Sequence, residues 1–129
     1  MLPLQGSQIL IIEDDYLIAA DLRQLVEEAG GTVTAQIARH AQADLSADFV
    51  VDAAVLDVQL ADGFAGPIAR QLQERHIPFV VVTGYDRATL PPGLREAPYM
   101  QKPIARDHLV AEVGRCVETS RRRRLTADP

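Results

Sequence analysis

One run constrains the fold more than any other part of the chain: Ala53-Ala54-Val55-Leu56-Asp57-Val58-Gln59-Leu60, apolar but for Asp57 and Gln59. A run of this length without polar alternation predicts a strand buried on both faces, the environment of a parallel sheet. Asp is depleted from such strands, so Asp57 needs a reason. Either it caps the turn that follows, as Asp often does, or it belongs to a site on the carboxyl rim of the sheet, where open parallel sheets hold ligands. Two further runs bear on the choice. Ile9-Leu10-Ile11-Ile12 ends in Glu13-Asp14-Asp15, and Phe79-Val80-Val81-Val82 ends in Thr83-Gly84. In a parallel sheet these three endings converge on one small site.

Taken in order, the chain alternates strand and helix patterns. Gln8 to Ile12 is strand one. Asp14 or Asp15 caps a helix whose apolar positions are Leu17, Ile18, Leu22, Leu25, Val26 and Ala29, and Gly30-Gly31 ends it. Thr32 to Ile37 is a second strand, and Gln42 to Asp48 predicts a short helix with little beyond Leu45 to pack. After strand three, Leu60 to Gly63 is a loop. A helix from about Gly66 to Arg75 follows, with Pro67 at the favoured first turn. Phe79 to Val82 is strand four. Tyr85 to Pro98 is long enough for a helix, but Pro91-Pro92 forbids a regular one. Few apolar residues, chiefly Leu90 and Leu94, anchor that segment, which marks it as a mobile signalling surface. Tyr99 to Gln101 is a fifth strand, and Ile104 to Arg121 a final amphipathic helix. The alternation predicts an α/β, doubly wound three-layer sandwich on a five-stranded parallel sheet, with its fourth helix short or irregular.

The 129 residues suit one domain, read as an N-terminal arm (1–7), a folded body (8–120) and a basic tail (121–129), with no room for a DNA-binding domain. No apolar run approaches the roughly 20 residues of a membrane helix. No secretory signal opens the chain, and the single Cys116 excludes an internal disulfide, so a cytoplasmic location is expected. Cys116 reads as a structural thiol on a helix. The net charge is −5, yet Arg121-Arg122-Arg123-Arg124 stand together near the C-terminus. Without interleaved aromatics they predict a solvated helix end rather than a nucleic-acid surface. His40, His76 and His108 read as solvated residues at helix ends.

The rim therefore carries Glu13, Asp14, Asp57, Thr83 and Lys102. Carboxylates packed this closely raise one another's pKa, and a shared cation relieves the repulsion. Oxygen ligands without His or Cys point to Mg²⁺ rather than zinc. A carboxylate beside such an ion, with a lysine and a hydroxyl opposite, suits attack on phosphorus. The expected chemistry is phosphoryl transfer to Asp57.

These motifs together resemble the receiver domains of two-component response regulators, CheY-like and flavodoxin-like in fold, over nearly the whole chain. The resemblance implies Glu13 and Asp14 as the acidic pair, Asp57 as phosphoacceptor and Gln59 as the residue whose backbone carbonyl binds the metal. It further implies Lys102 as the family's lysine, a cis peptide at Lys102-Pro103, Thr83 as the mobile hydroxyl and Tyr99 as the aromatic switch. Thr83-Gly84-Tyr85 and the proline-broken segment resemble a single-domain subgroup with an F-A-T-G-x-Y type motif, associated with histidine kinases of the HWE type; Val81, Val82 and Asp86 depart from it. The implied partner is a sensor histidine kinase or phosphotransfer protein. The implied product is a switch that assists its own phosphorylation and dephosphorylation, not a turnover enzyme. Two rivals are weighed against this. A haloacid dehalogenase-like phosphatase needs a second Asp two residues after the first, where Gln59 stands. A degenerate receiver acting only as a binding module would not need the full set of charged residues that this chain keeps.

Overall fold

The computed structural model describes residues 2–39, 45, 50–60, 62–90 and 92–127. Strands β1 (Gln8–Ile12), β2 (Thr32–Ile37), β3 (Ala53–Leu56), β6 (Phe79–Thr83) and β7 (Tyr99–Gln101) form one all-parallel sheet in the order β2-β1-β3-β6-β7. Between β3 and β6 lie a small antiparallel hairpin, β4 (Gln59–Leu60) with β5 (Gly63–Phe64), and helix α2 (Gly66–Glu74). Helix α1 (Tyr16–Glu28) follows β1, and α3 (Arg106–Ala127) follows β7.

Side chains that alternate along each strand divide the core in two. Ile9, Ile11, Val55, Val80 and Val82 pack with Leu22, Leu25 and Val26 of α1 and with Leu109, Val113 and Val117 of α3. Leu10, Ile12, Leu56 and Val81 pack on the other face with Ile68, Ala69 and Leu72 of α2 and with Leu90 and Leu94. Each buried Leu, Ile or Val contributes about 1.5–3 kcal/mol, so the three central strands, apolar on both faces, must lie inside. This is the flavodoxin-like three-layer sandwich expected from the sequence.

Helix α1 begins where Asp15 Oδ1 accepts the Leu17 and Ile18 N–H groups at 2.9 and 3.1 Å. It ends at Gly30, whose φ of 94° is costly for any residue with a Cβ. A Cβ there would also lie 3.0 Å from Gln5 Cα, because the N-terminal segment crosses the helix end and buries Leu4 completely. Leu17, expected to face inward, is instead 72% exposed. At helical spacing it aligns with Asp21, Gln24 and Glu28 on the polar side, whereas Leu22, Leu25 and Ala29, with partly buried Ile18, form the inward stripe.

Other differences from the sequence reading have local causes. Strand three stops at Leu56, and Gln59-Leu60 turns back on Gly63-Phe64, so the expected loop is a hairpin. The short helix expected over Gln42–Asp48 lies outside the described residues, as do His40 and Pro91. Among the described residues between β6 and β7 there is no regular helix, only the 3₁₀ turns Arg87–Thr89 and Pro92–Leu94. The final helix starts at Arg106 rather than Ile104 and continues through the four arginines to Ala127. The arginines are not simply solvated. Arg121 donates to Gln5 O at 2.9 Å, Arg123 donates to His76 O at 2.9 Å, and Arg124 pairs with buried Asp52. Cys116 is buried on α3, and burial pushes its thiol up to about 11, the state of an inert core thiol.

Candidate functional site

The parallel register assembles the site. Ile12 is the β1 partner of Leu56 in β3, so Glu13 and Asp57, each one residue further on, emerge side by side at the carboxyl rim. Their own backbones hold them there: Glu13 N–H donates to Ile37 O at 2.9 Å and Asp57 N–H to Ile12 O at 2.8 Å. Leu56 pairs in turn with Val81, and Thr83 with Gln101, which brings Thr83 and Lys102 to the same rim. The Lys102 N–H donates to Thr83 O at 2.8 Å.

Lys102 Nζ stands 3.0 Å from Glu13 Oε1 and 3.3 Å from Asp57 Oδ2. Asp57 Oδ1 accepts the Gln59 N–H at 3.3 Å, and Glu13 Oε2 accepts the Asp15 N–H at 3.2 Å. Glu13, Asp57 and Thr83 are buried, whereas Asp14 is exposed. Burial pushes the Glu13 carboxyl up to about 8; its hydrogen bond and charge repulsion with Asp57 add to this, and Lys102 opposes it. Burial alone would lower the Lys102 ammonium, but its contacts with Glu13 and Asp57 more than offset that and raise it above the usual lysine value.

Among the described residues, Glu13, Asp14 and Asp57 offer three carboxylate oxygens within 4.8 Å of one another. Glu13 Oε1 is buried and, beyond its ion pair, receives no directed hydrogen bond. A set of hard oxygen donors with excess negative charge and one under-used buried oxygen fits a small divalent cation such as Mg²⁺.

The chain matches no protein-family model and no curated protein. Solved structures do match it. SdrG from Sphingomonas melonis is 34% identical with a TM-score of 0.73, over 92% of this chain and 99% of that one. The signal receiver domain of a modulated diguanylate cyclase from Desulfovibrio desulfuricans is 27% identical with a TM-score of 0.75, over 89% and 96% of the two chains. A response regulator receiver protein from Sinorhizobium medicae has the same fold, with a TM-score of 0.75 at 22% identity over 91% and 98%. The chain belongs to the response regulator receiver family.

This receiver brings Glu13, Asp14, Asp57 and Lys102 into one cluster, with Thr83 on the adjoining strand end. Lys102-Pro103 is cis. Tyr99 lies outside the cluster, half-buried on β7, and its hydroxyl donates to Tyr85 O. A glycine beside Thr83 suggests a backbone freed at Gly84. Its φ is not positive and a Cβ would meet nothing within 4 Å, so alanine would fit there equally well. The segment after it is also better tied than its few apolar residues suggested. Arg87 donates to Arg95 O and Ala97 O at 2.6 and 3.1 Å, and Arg95 donates to Leu90 O at 2.7 Å. Sequence reasoning missed these arginines because a side chain bonded to its own loop has no periodicity to betray it. His76 and His108 lie exposed, His108 next to Glu112, in keeping with solvated roles.

Proposed function

We propose that this receiver is a phosphoacceptor switch in two-component signalling, in which Asp57 takes the phosphoryl group of a sensor kinase or phosphotransfer protein phosphohistidine. The observation that carries the reading is Asp57 itself, buried at a strand end with Lys102 Nζ at 3.3 Å and two further carboxylates beside it. An Asp57 oxygen attacks phosphorus, the phosphorus–nitrogen bond breaks, and the imidazole leaves with the electron pair. Lys102 stands where charge on the phosphoryl oxygens develops, and Thr83 supplies a hydroxyl for one of them. Glu13, Asp14, Asp57 and the Gln59 carbonyl would hold Mg²⁺, which neutralises phosphoryl oxygens when bound. The chain is a switch rather than a turnover enzyme, because its product stays attached to Asp57.

The docking face for the kinase is the start of α1. Tyr16 and Leu17 are 80% and 72% exposed next to the acidic cluster. A groove of about 660 Å³ lies on the same helix, between Ile18, Leu22 and Leu25 of α1 and Lys102, Pro103, Ile104 and Arg106. The Thr83-Gly84-Tyr85 sequence and the broken fourth helix favour a kinase of the HWE type. Acetyl phosphate with Mg²⁺ tests the core of the reading: intact mass should show one added phosphoryl group, and an unlabelled wild type would leave a phosphorylation-independent binding module in its place. A phosphotransfer profile against the kinases of the source organism then names the donor.

Mg²⁺ affinity should rise with pH. Without a cation the folded chain keeps a proton on Glu13 up to about pH 8, whereas the unfolded chain releases it near 4.5. Between those values the folded state binds more protons, so stability falls as pH rises through that window. Glu13 would have to give up that proton to hold Mg²⁺, so the decline should disappear in excess Mg²⁺ and in Glu13→Gln. Thermal unfolding from pH 5 to 8.5, in chelator and in excess Mg²⁺, makes the comparison. Parallel curves in the two conditions would place the cation elsewhere.

A further inference from the structure

The arginine that begins the first 3₁₀ turn does more than tie up its own loop. Arg87 lies with its guanidinium carbon 4.7 Å from the centre of the Tyr99 ring. Its Nη1 is meanwhile fixed by Arg95 O at 2.6 Å and Ala97 O at 3.1 Å, so the cation over the ring cannot easily follow the ring elsewhere. The Tyr99 hydroxyl donates to Tyr85 O, and the N–H of that same residue donates to Thr83 Oγ1 at 3.3 Å. One continuous set of contacts thus runs from Arg87 through Tyr99 and the Tyr85 backbone to the Thr83 hydroxyl.

We propose that Arg87 is a positioning residue that latches Tyr99, and through Tyr85 holds Thr83 in the arrangement in which its hydroxyl is committed to the Tyr85 N–H. The proposal rests on the reading of Asp57 as phosphoacceptor. A Thr83 hydroxyl drawn to a phosphoryl oxygen on Asp57 leaves the Tyr85 N–H, the Tyr85 peptide shifts, and Tyr99 loses its acceptor. The ring is then free to turn only if it also leaves the guanidinium. Arg87 therefore favours the unswitched arrangement and opposes phosphoryl binding, as any contact made in only one of two states must.

Beryllofluoride with Mg²⁺, a phosphoryl mimic, is the probe, and the Tyr99 ring resonances are the readout. Losing one ring–cation contact and the carbonyl bonds that fix it should lower the beryllofluoride concentration for half-conversion by roughly tenfold in Arg87→Ala. Arg87→Gln, which keeps a donor for the carbonyls but no cation, should shift it by a smaller factor while disturbing the loop less. In both variants the Tyr99 signals should move toward their switched positions before any beryllofluoride is added, which a merely structural arginine would not cause. A wild type that responds while both variants keep its half-conversion point, or need more beryllofluoride, overturns the latch alone. A folded wild type that does not respond at all overturns the reading of Asp57 and the latch with it.

Discussion

Asp57→Asn should take up no phosphoryl group from acetyl phosphate under conditions that label the wild type once. An amide has nearly the shape of the carboxylate but lacks its nucleophilic charge, so the fold and the Gln59 contact at Asp57 Oδ1 survive while the attacking oxygen does not. The other acids of the rim cannot replace it. Burial raises the Glu13 carboxyl well above the usual carboxylate range, which weakens it as a nucleophile at neutral pH, and Asp14 is exposed with no ion pair to Lys102 in the structure. Lys102→Ala separates acceptor from assistant: Asp57 remains, but the one ammonium facing it is gone, and labelling should slow by about 10²–10³-fold, the usual cost of removing a preorganised charge from such a site. Intact mass over a time course distinguishes the two variants. Equal labelling of Asp57→Asn and wild type would move the acceptor to another residue.

The largest effect on stability is expected far from this rim, at Asp52. It is buried just before β3, where its Oδ2 accepts the Gln8 N–H at 2.7 Å and its Oδ1 pairs with Arg124. Its backbone carbonyl accepts from Ser120 Oγ at 2.5 Å. The first residue of β1, the approach to β3 and the last turns of α3 thus meet at one carboxylate. Asp52→Ala leaves a buried N–H without a partner, which costs about 1–3 kcal/mol. The half-exposed Arg124 adds less than about 1 kcal/mol because solvent screens it. A total of about 2–3 kcal/mol should lower Tm by roughly 10 °C. Arg124→Ala should cost only the smaller part, and neither variant should change labelling of Asp57. Urea or thermal unfolding measures both, and an Asp52→Ala variant as stable as the wild type would show that the Gln8 N–H finds another acceptor.

Asp52 also marks the limit of what patterns in the chain convey. Nothing around it distinguishes it from a polar residue ahead of a strand, because its partners, Gln8 and Arg124, are 44 and 72 residues away. The same holds for the arginine run. Four like charges near a terminus suggest a solvated end; their use as ties to Gln5, His76 and Asp52 depends on where α3 passes over the amino-terminal edge of the sheet. Leu17 misled for a different reason: being apolar does not assign a residue to a helix face, and the packing of α1 on β1 and β2 selected the stripe one position away.

By itself the sequence determined the five strands of the parallel sheet, helices α1, α2 and α3, an irregular stretch where a fourth helix would stand, and the five residues that meet at the rim. The physical reason is that strand burial and strand ending are local properties. A run apolar on both faces must lie inside the sheet, and a charge at its end must lie at the rim, wherever the neighbouring strands come from. Only the tertiary structure decided what those residues meet. The 3.0 and 3.3 Å approaches of Lys102, the upward push of burial on the Glu13 carboxyl, and the contact of Arg87 with Tyr99 all depend on side chains brought together from different strand ends and loops. Such contacts are set by the twist, register and spacing of the assembled sheet, which no single stretch of the chain contains.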